Sequence, residues 1–210
     1  MTPLASVSEY NRDQAEAFLA VQRGLDAMTP EQREALRRSI EAYLLFRREL
    51  DDFHRSTVET MCRETCYKTS LSACCGFESI FTFFADLVVT VMASPPGAVK
   101  ALLELLGQPN TSARCVYLGD EGCLWAVRPI SCAMFLCDGV KQDILGRAPE
   151  IEAAWKGCRE REKMFTYPDK PVLFDSVERV FIELGIDSRY MYFHKSPGLL
   201  RVKARAAKRE

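Results

Sequence analysis

The placement of cysteines constrains this 210-residue chain more than any other feature of its sequence. Eight of the nine cysteines fall between positions 62 and 137, and the ninth is Cys158. The number is odd, and a bridge between the neighbours Cys74 and Cys75 would be strained, so disulfides explain the pattern poorly. Buried, inert thiols explain one such cysteine well, but not eight in polar, turn-rich surroundings. The clustering therefore predicts shared chemistry at the thiols.

Metal coordination accounts for the spacing of these cysteines. Three residues separate Cys62 from Cys66 and four separate Cys132 from Cys137. Gaps of this length let two sulfurs approach one ion at about 2.3 Å. The chain has only two histidines, so the ligands must be nearly all sulfur. All-sulfur sites suit zinc or an iron-sulfur cluster and disfavour magnesium and calcium.

A turn sequence, Gly-Asp-Glu-Gly at 119–122, lies between two short apolar stretches. This pattern predicts a small β-hairpin flanked by Cys115 and Cys123, with the two thiolates side by side.

The run from Cys115 to Cys137, preceded by the doublet Cys74-Cys75, resembles the YkgJ-type CxxCxxCC family of zinc- or iron-chelating proteins. In that family's order, a cysteine precedes a short strand and a Gly/Asp turn, a second follows the turn, an Arg-Pro pair comes next, and two cysteines close the unit. The family has two residues between its first cysteines and two before the doublet, whereas the gaps here are three and seven. By position, the resemblance implies these metal ligands: Cys62, Cys66, Cys74, Cys75, Cys115, Cys123, Cys132 and Cys137.

The resemblance also implies a bacterial, cytoplasmic metal-binding protein, with an iron-sulfur cluster favoured over zinc as the cofactor. Some relatives, the flagellin lysine N-methylases, look like iron-sulfur enzymes that transfer methyl groups. No Gly-rich phosphate loop occurs in the sequence. An enzymatic function would therefore have to use the metal cluster itself. Two alternatives stay open beside a metal-binding protein of unspecified reaction: a structural zinc module for protein interaction, and a cluster-dependent methyl or group transferase.

Arg128, between Cys123 and Cys132, is the candidate cofactor-binding residue outside the ligand set. Pro129 biases it to an extended conformation. A metal held by four thiolates carries a net negative charge, which a partly buried site must balance with cations or N–H donors. We therefore predict that Arg128 donates hydrogen bonds to the sulfurs or to the hairpin carbonyls.

The rest of the sequence predicts a mostly α fold, a helical scaffold with a small cysteine-rich hairpin unit. Thr29-Pro30-Glu31-Gln32 is a helix start, and apolar residues then repeat at three and four positions, predicting a helix over 30–62 that ends at Cys62. Further helices are predicted near 9–26, 77–91, 99–106, 147–163 and 174–184. Cys158 is predicted to be a core residue, with a role as a further ligand left open, and His54 to be solvated or salt-linked.

The predicted organisation is one domain, in which an N-terminal helical arm at 1–61 packs on the rest. The cysteine unit spans 62–140, C-terminal helices span 141–194, and a basic, frayed tail covers 195–210. The net charge of −1 argues against nucleic acid as a partner. The longest apolar run, 80–93, is too short to span a bilayer, so no membrane partner is expected. The expected partner is a metal ion or cluster, and binding to an unidentified protein is a further possibility that the sequence leaves open.

Overall fold

A computed structural model of the chain describes residues 7–64, 81–95, 97–109, 114–119, 122–167 and 171–208. These residues are mostly helical, as predicted, and their strands form one short hairpin. The elements in chain order are α1 (Glu9–Ala27), α2 (Pro30–Thr57), α3 (Glu59–Cys62), α4 (Phe84–Ala93), α5 (Ala98–Leu106), β1 (Leu118–Gly119), β2 (Gly122–Cys123), α6 (Ile130–Ala133), α7 (Asp138–Asp143), a 3₁₀ helix (Leu145–Arg147), α8 (Pro149–Thr166), α9 (Leu173–Glu183), α10 (Tyr192–Lys195) and α11 (Pro197–Ala206).

Helix α2 begins where the sequence predicts. The Thr29 hydroxyl accepts a hydrogen bond from the N–H of Gln32, and the Gln32 side chain accepts one from the N–H of Thr29. This reciprocal pair satisfies two donors that a helix N-terminus otherwise leaves open. The prediction that one helix runs to Cys62 is correct in outline, but the helix is interrupted at Val58. The hydroxyls of Ser56 and Thr57 both bond to the Phe53 carbonyl, an arrangement that bends helices.

The core lies where these helices meet. Helix α1 packs against α4 and α5, while α2 packs against α8 and α9. The predicted apolar stripe of α2 is buried from Leu36 to Leu50. Gly24 of α1 allows a close approach, because a Cβ at this position would overlap the ring of Phe181 in α9. Both ends of the chain therefore contribute to one hydrophobic core.

Helix α4 starts later than the apolar pattern suggests. The Asp86 carboxylate accepts a hydrogen bond from the N–H of Phe83, and the helix begins at Phe84. Phe81 precedes the helix and stacks on Tyr192, with the ring centroids 4.6 Å apart. The predicted positions 77–80 lie outside the described residues. From Phe84 onward, the stripe packs into the core as predicted.

The predicted hairpin is present, with Leu118 opposite Cys123 and Gly119 opposite Gly122. Gly122 has φ 123°, a conformation that glycine adopts without strain. The hairpin is short, but the Leu124 N–H extends it by donating to the Tyr117 carbonyl over 2.9 Å.

The C-terminal residues are more ordered than predicted. Instead of a frayed tail, the chain forms α11, whose Lys203 contacts Asp175 in α9. Asp175 is 2% exposed, so this lysine neutralises a buried carboxylate. A charged partner of this kind anchors the helix, which composition alone could not indicate. None of the helices in the described ranges is long and apolar enough to cross a membrane.

Candidate metal centre

Five of the eight predicted cysteine ligands are described. These five are Cys62, Cys115, Cys123, Cys132 and Cys137. Cys62 ends α3, Cys115 precedes the hairpin, Cys123 ends β2, Cys132 lies in α6, and Cys137 directly precedes α7. The other three, Cys66, Cys74 and Cys75, lie outside the described residues.

Three of these thiols lie within electrostatic reach of one another. Burial raises the pKa of Cys115 to about 12, with smaller contributions from the charges of Cys123 and Cys132. Burial likewise raises the pKa of Cys132 to about 12, with Cys123 again adding to the effect. The pKa of Cys123 is also raised by burial. All three thiols are therefore protonated at neutral pH in this environment.

Main-chain N–H groups and arginine charges around the same thiols lower their pKa values, against the effect of burial. The N–H of Tyr117 donates to Cys115 Sγ over 3.4 Å, and the backbone N–H of Trp125 lowers the pKa of Cys123. The positive charges of Arg128 and Arg47 lower the pKa of Cys123 against the effect of burial. Donors and cations of this kind stabilise a thiolate once its proton has left.

Cys62 and Cys137 flank this group. Cys62 and Cys123 both line a cleft of about 290 Å³, together with His54, Trp125 and Arg128. A Cβ at Gly139 would lie 3.1 Å from Met61 Cε and 3.9 Å from Cys137 Sγ. Cys137 is therefore next to the helical turn that ends in Cys62.

The described residues do not complete a metal site. Within the described ranges, no group of three or more His, Cys, Asp or Glu side chains is placed to hold a metal ion. In kind, the groups present suit thiolates, because an N–H bonds to Cys115 and the charges of Arg47 and Arg128 act on Cys123. The eight-cysteine ligand set stays a prediction, since three of its members lie outside the described residues.

The loop between Cys123 and Cys132 is held by buried polar side chains of α4. The Thr90 hydroxyl donates to the Val127 carbonyl over 2.6 Å and accepts from the Val127 N–H over 3.1 Å. Asp86 accepts from the Ile130 N–H over 2.9 Å. Both α4 residues are at most 2% exposed. Buried hydrogen bonds of this kind fix a loop in one conformation, because breaking any of them leaves an unsatisfied group.

Helix α2 holds the same loop from the other side. Arg47 donates to the Arg128 carbonyl over 2.7 Å, and Asp51 accepts from the Arg128 guanidinium over 3.0 Å. One turn further, His54 Nε2 lies 2.7 Å from the Ala133 carbonyl. The three α2 residues occupy positions i, i+4 and i+7, so they share one helix face. The sequence analysis did not identify Arg47, Asp51, Asp86 or Thr90.

The prediction that His54 is solvated or salt-linked is wrong in part, because the ring is half-buried and its Nε2 bonds to a backbone carbonyl. Burial lowers its pKa to about 4, and the nearby charge of Arg128 contributes to the shift. The imidazole is therefore neutral at physiological pH, with Nε2 donating to the Ala133 carbonyl. Its ring meets that of Trp155 edge to face, with the centroids 6.0 Å apart. Of its charged neighbours, Asp52 and Arg55 are exposed and pair with each other, whereas Asp51 shares the face of His54 and bonds to Arg128.

Arg128 lies beside the cysteines, and its charge lowers the pKa of both Cys123 and Cys132. The hydrogen bond described for its guanidinium goes to Asp51. Its predicted bonds to sulfur or to hairpin carbonyls stay a prediction.

Two further residues belong to other parts of the fold. Cys158 is half-buried on α8, and the charged groups that act on it are Arg161 and Glu49. His194, for which the sequence indicates no partner, lies with Nδ1 3.0 Å from the carboxylate of the buried Glu178.

No protein-family model matches the chain, and neither the curated proteins nor the solved structures contain a match to it. The resemblance to the YkgJ-type family therefore stays a prediction from the order of the cysteine motif.

Proposed function

We propose that the chain binds an iron-sulfur cluster or a zinc ion through cysteine thiolates, with Cys115, Cys123 and Cys132 among the ligands. The observation that carries the proposal is the pairing of these three neighbouring thiols with groups that stabilise thiolates. The Tyr117 N–H bonds to Cys115, and the positive charges of the buried Arg47 and the partly buried Arg128 act on Cys123. The remaining predicted ligands are Cys62, Cys66, Cys74, Cys75 and Cys137.

Binding of a metal would convert the protonated thiols to thiolates, because the ion displaces their protons. A bound cluster would supply redox or Lewis-acid chemistry. The residues of this chain hold and orient the ligands. Thr90 and Asp86 fix the loop that carries Cys132, while the hairpin fixes Cys123.

The direct test is the metal content of the full chain purified without oxygen. Iron, zinc and acid-labile sulfide are measured together with the visible absorbance. A brown protein with broad absorbance, iron and sulfide contains a cluster, whereas colourless protein with stoichiometric zinc contains zinc. Protein that holds neither metal as purified, and takes up neither on reconstitution, would overturn the proposal.

Matched cysteine variants separate ligands from other thiols. Cys123→Ser and Cys132→Ser should lose most of the bound metal, because a hydroxyl is a poor ligand for zinc and for cluster iron. Cys158→Ser is the control, since Cys158 lies beside Arg161 and Glu49 instead of the other thiols. Equal metal content in all three variants would contradict the assignment of ligands.

A catalytic function is favoured over a purely structural one by the cleft at Cys62 and Cys123. A structural zinc site is closed by four protein ligands, whereas a catalytic site keeps one position open to solvent. X-ray absorption at the metal edge tests this directly. Fewer sulfur ligands than a closed site requires, with an oxygen or nitrogen neighbour in addition, would support group-transfer chemistry. If the metal is zinc, full sulfur coordination would support the structural zinc module; an iron-sulfur cluster held by four cysteines is also fully sulfur-coordinated and is distinguished by its iron and sulfide.

A further inference from the structure

Arg47 is the most deeply buried cation of the region, with 1% of its surface exposed. Its Nη1 donates to the Tyr43 hydroxyl over 3.1 Å and to the Arg128 carbonyl over 2.7 Å. Among the described residues, its Nε and Nη2 have no hydrogen-bond partner. Neither acceptor of Nη1 carries a charge, because burial also raises the pKa of the Tyr43 phenol. The guanidinium charge is thus not neutralised by the groups that hold it.

The nearest buried acid does not fill this role either. Asp86 interacts with Arg47 through its charge, but its two carboxylate oxygens bond to the N–H groups of Phe83 and Ile130. Burial raises the pKa of Asp86 to about 7, so this carboxyl is only partly ionised at neutral pH.

A buried cation without an anion is strongly destabilising in an apolar interior. An anion that faces the guanidinium in the functional state would offset this cost. Arg47 acts electrostatically on Cys123, and its hydrogen bond to Arg128 places the guanidinium against the loop that joins Cys123 to Cys132. A divalent ion held by three or four thiolates carries a net charge of about −1 to −2.

We infer that Arg47 is the buried counter-charge of the thiolate site, a positioning residue that stabilises the metal-loaded centre without touching the metal. The inference rests on the proposed function. It predicts opposite effects in the two states of the protein. In the metal-free protein the charge of Arg47 is a cost, and in the loaded protein it offsets the charge of the thiolates.

The test compares zinc binding and thermal unfolding of wild type, Arg47→Met, Arg47→Gln and Arg47→Lys. Met removes the charge and the donors, Gln removes the charge but keeps an N–H donor for the Arg128 carbonyl, and Lys keeps the charge. Zinc affinity is measured by competition with a chelator, and the unfolding temperature is measured with and without zinc. Arg189→Met is the matched control, because Arg189 is an exposed arginine paired with Asp13 and Glu9.

We expect Arg47→Met and Arg47→Gln to bind zinc about 10-fold to 100-fold more weakly than wild type, the range found for outer-shell partners of metal ligands. Both should show a smaller rise in unfolding temperature on adding zinc. Arg47→Lys should retain most of the affinity, and the control should retain all of it. A residue with only a structural role would instead lower the unfolding temperature equally with and without zinc.

Wild-type affinity in both charge-free variants would overturn the inference. The same holds if Arg47→Lys loses as much affinity as Arg47→Met, because the hydrogen bonds and not the charge would then matter. If Arg47→Met does not fold, the zinc affinity of Arg47→Gln alone tests the inference. Wild-type protein that binds no zinc counts against the proposed function itself, and that result is visible without any Arg47 variant.

Discussion

The Nη1 atom of Arg47 and the carbonyl oxygen of Arg128 are 2.7 Å apart, although the two residues are 81 positions apart in sequence. The bond ties the middle of α2 to the loop between Cys123 and Cys132. On the same face of α2, Asp51 bonds to the Arg128 side chain in that loop, and His54 bonds to the Ala133 carbonyl directly after Cys132. The position of the candidate ligands thus depends on a helix that contains no cysteine.

The packing of α1 on α9 predicts opposite outcomes for two Gly→Ala substitutions. A Cβ at Gly24 would overlap the Phe181 ring, so Gly24→Ala should destabilise the fold by about 1–3 kcal/mol. Gly157 lies within α8, and a Cβ there meets nothing within 4 Å. Gly157→Ala should stabilise by up to about 1 kcal/mol through helix propensity. Chemical denaturation of both variants measures the difference, and a stabilising Gly24→Ala would contradict the described packing.

Two buried carboxyls predict how stability changes with pH. Burial raises the pKa of Asp86 to about 7 and that of Glu178 to about 8, from ordinary values of 3.8 and 4.5. The folded state therefore holds these protons more tightly than the unfolded state does. The stability they contribute is complete below about pH 4 and is lost as the pH rises through 7 and 8, by up to about 1.4 kcal/mol per pH unit for each group.

Urea unfolding of the metal-free protein between pH 4 and 8 tests this linkage. Asp86→Asn should flatten the decline between pH 4 and 7, and Glu178→Gln should remove the part that extends toward pH 8. Asp86→Asn should also lose about 1–3 kcal/mol, because the amide can accept only one of the two N–H bonds with its single oxygen. An unchanged pH profile in both variants would rule out these carboxyls as its source.

His54 is expected to stay neutral well below the pH at which an ordinary histidine titrates. Burial lowers its pKa to about 4, so the stability it contributes is present above the unfolded value of 6.5 and is lost as the pH falls through 4. Nitrogen-15 NMR at pH 6 should show a neutral ring with the proton on Nε2, as the bond to the Ala133 carbonyl requires. A positively charged ring at that pH would contradict the assignment.

Local signals in the sequence predicted the helices and the hairpin well. Helix capping by Thr29 and Gln32 and the turn at Gly122 involve residues only a few positions apart. The local sequence therefore determines both features. The apolar stripe of α2 also contained a signal that was overlooked. Arg47 and His54 fall at the positions that continue its three- and four-residue spacing, which places both on the core side.

What these side chains bond to could not be predicted from the sequence. The contacts of Asp86 and Thr90 with the cysteine loop join residues 44 and 37 positions apart, and they depend on how α4 packs. The charged neighbours of His54 suggested a solvated residue, yet helical periodicity decides which face is buried. The α11 helix likewise depends on the distant Asp175, which no property of a basic tail indicates.

Arg128 and Asp51 should affect metal retention in opposite directions. The charge of Arg128 lowers the pKa of Cys123 and Cys132, whereas that of Asp51 raises the pKa of Cys123. Arg128→Ala should therefore weaken retention against a chelator by about 10-fold to 100-fold, and Arg128→Lys by less, because lysine keeps the charge but loses the planar fork. Asp51→Asn should leave retention intact or strengthen it, although it removes the ion pair with Arg128. Unchanged retention in both Arg128 variants would exclude a role for this arginine at the site, and a loss in Asp51→Asn equal to that in Arg128→Ala would assign the effect to the ion pair instead.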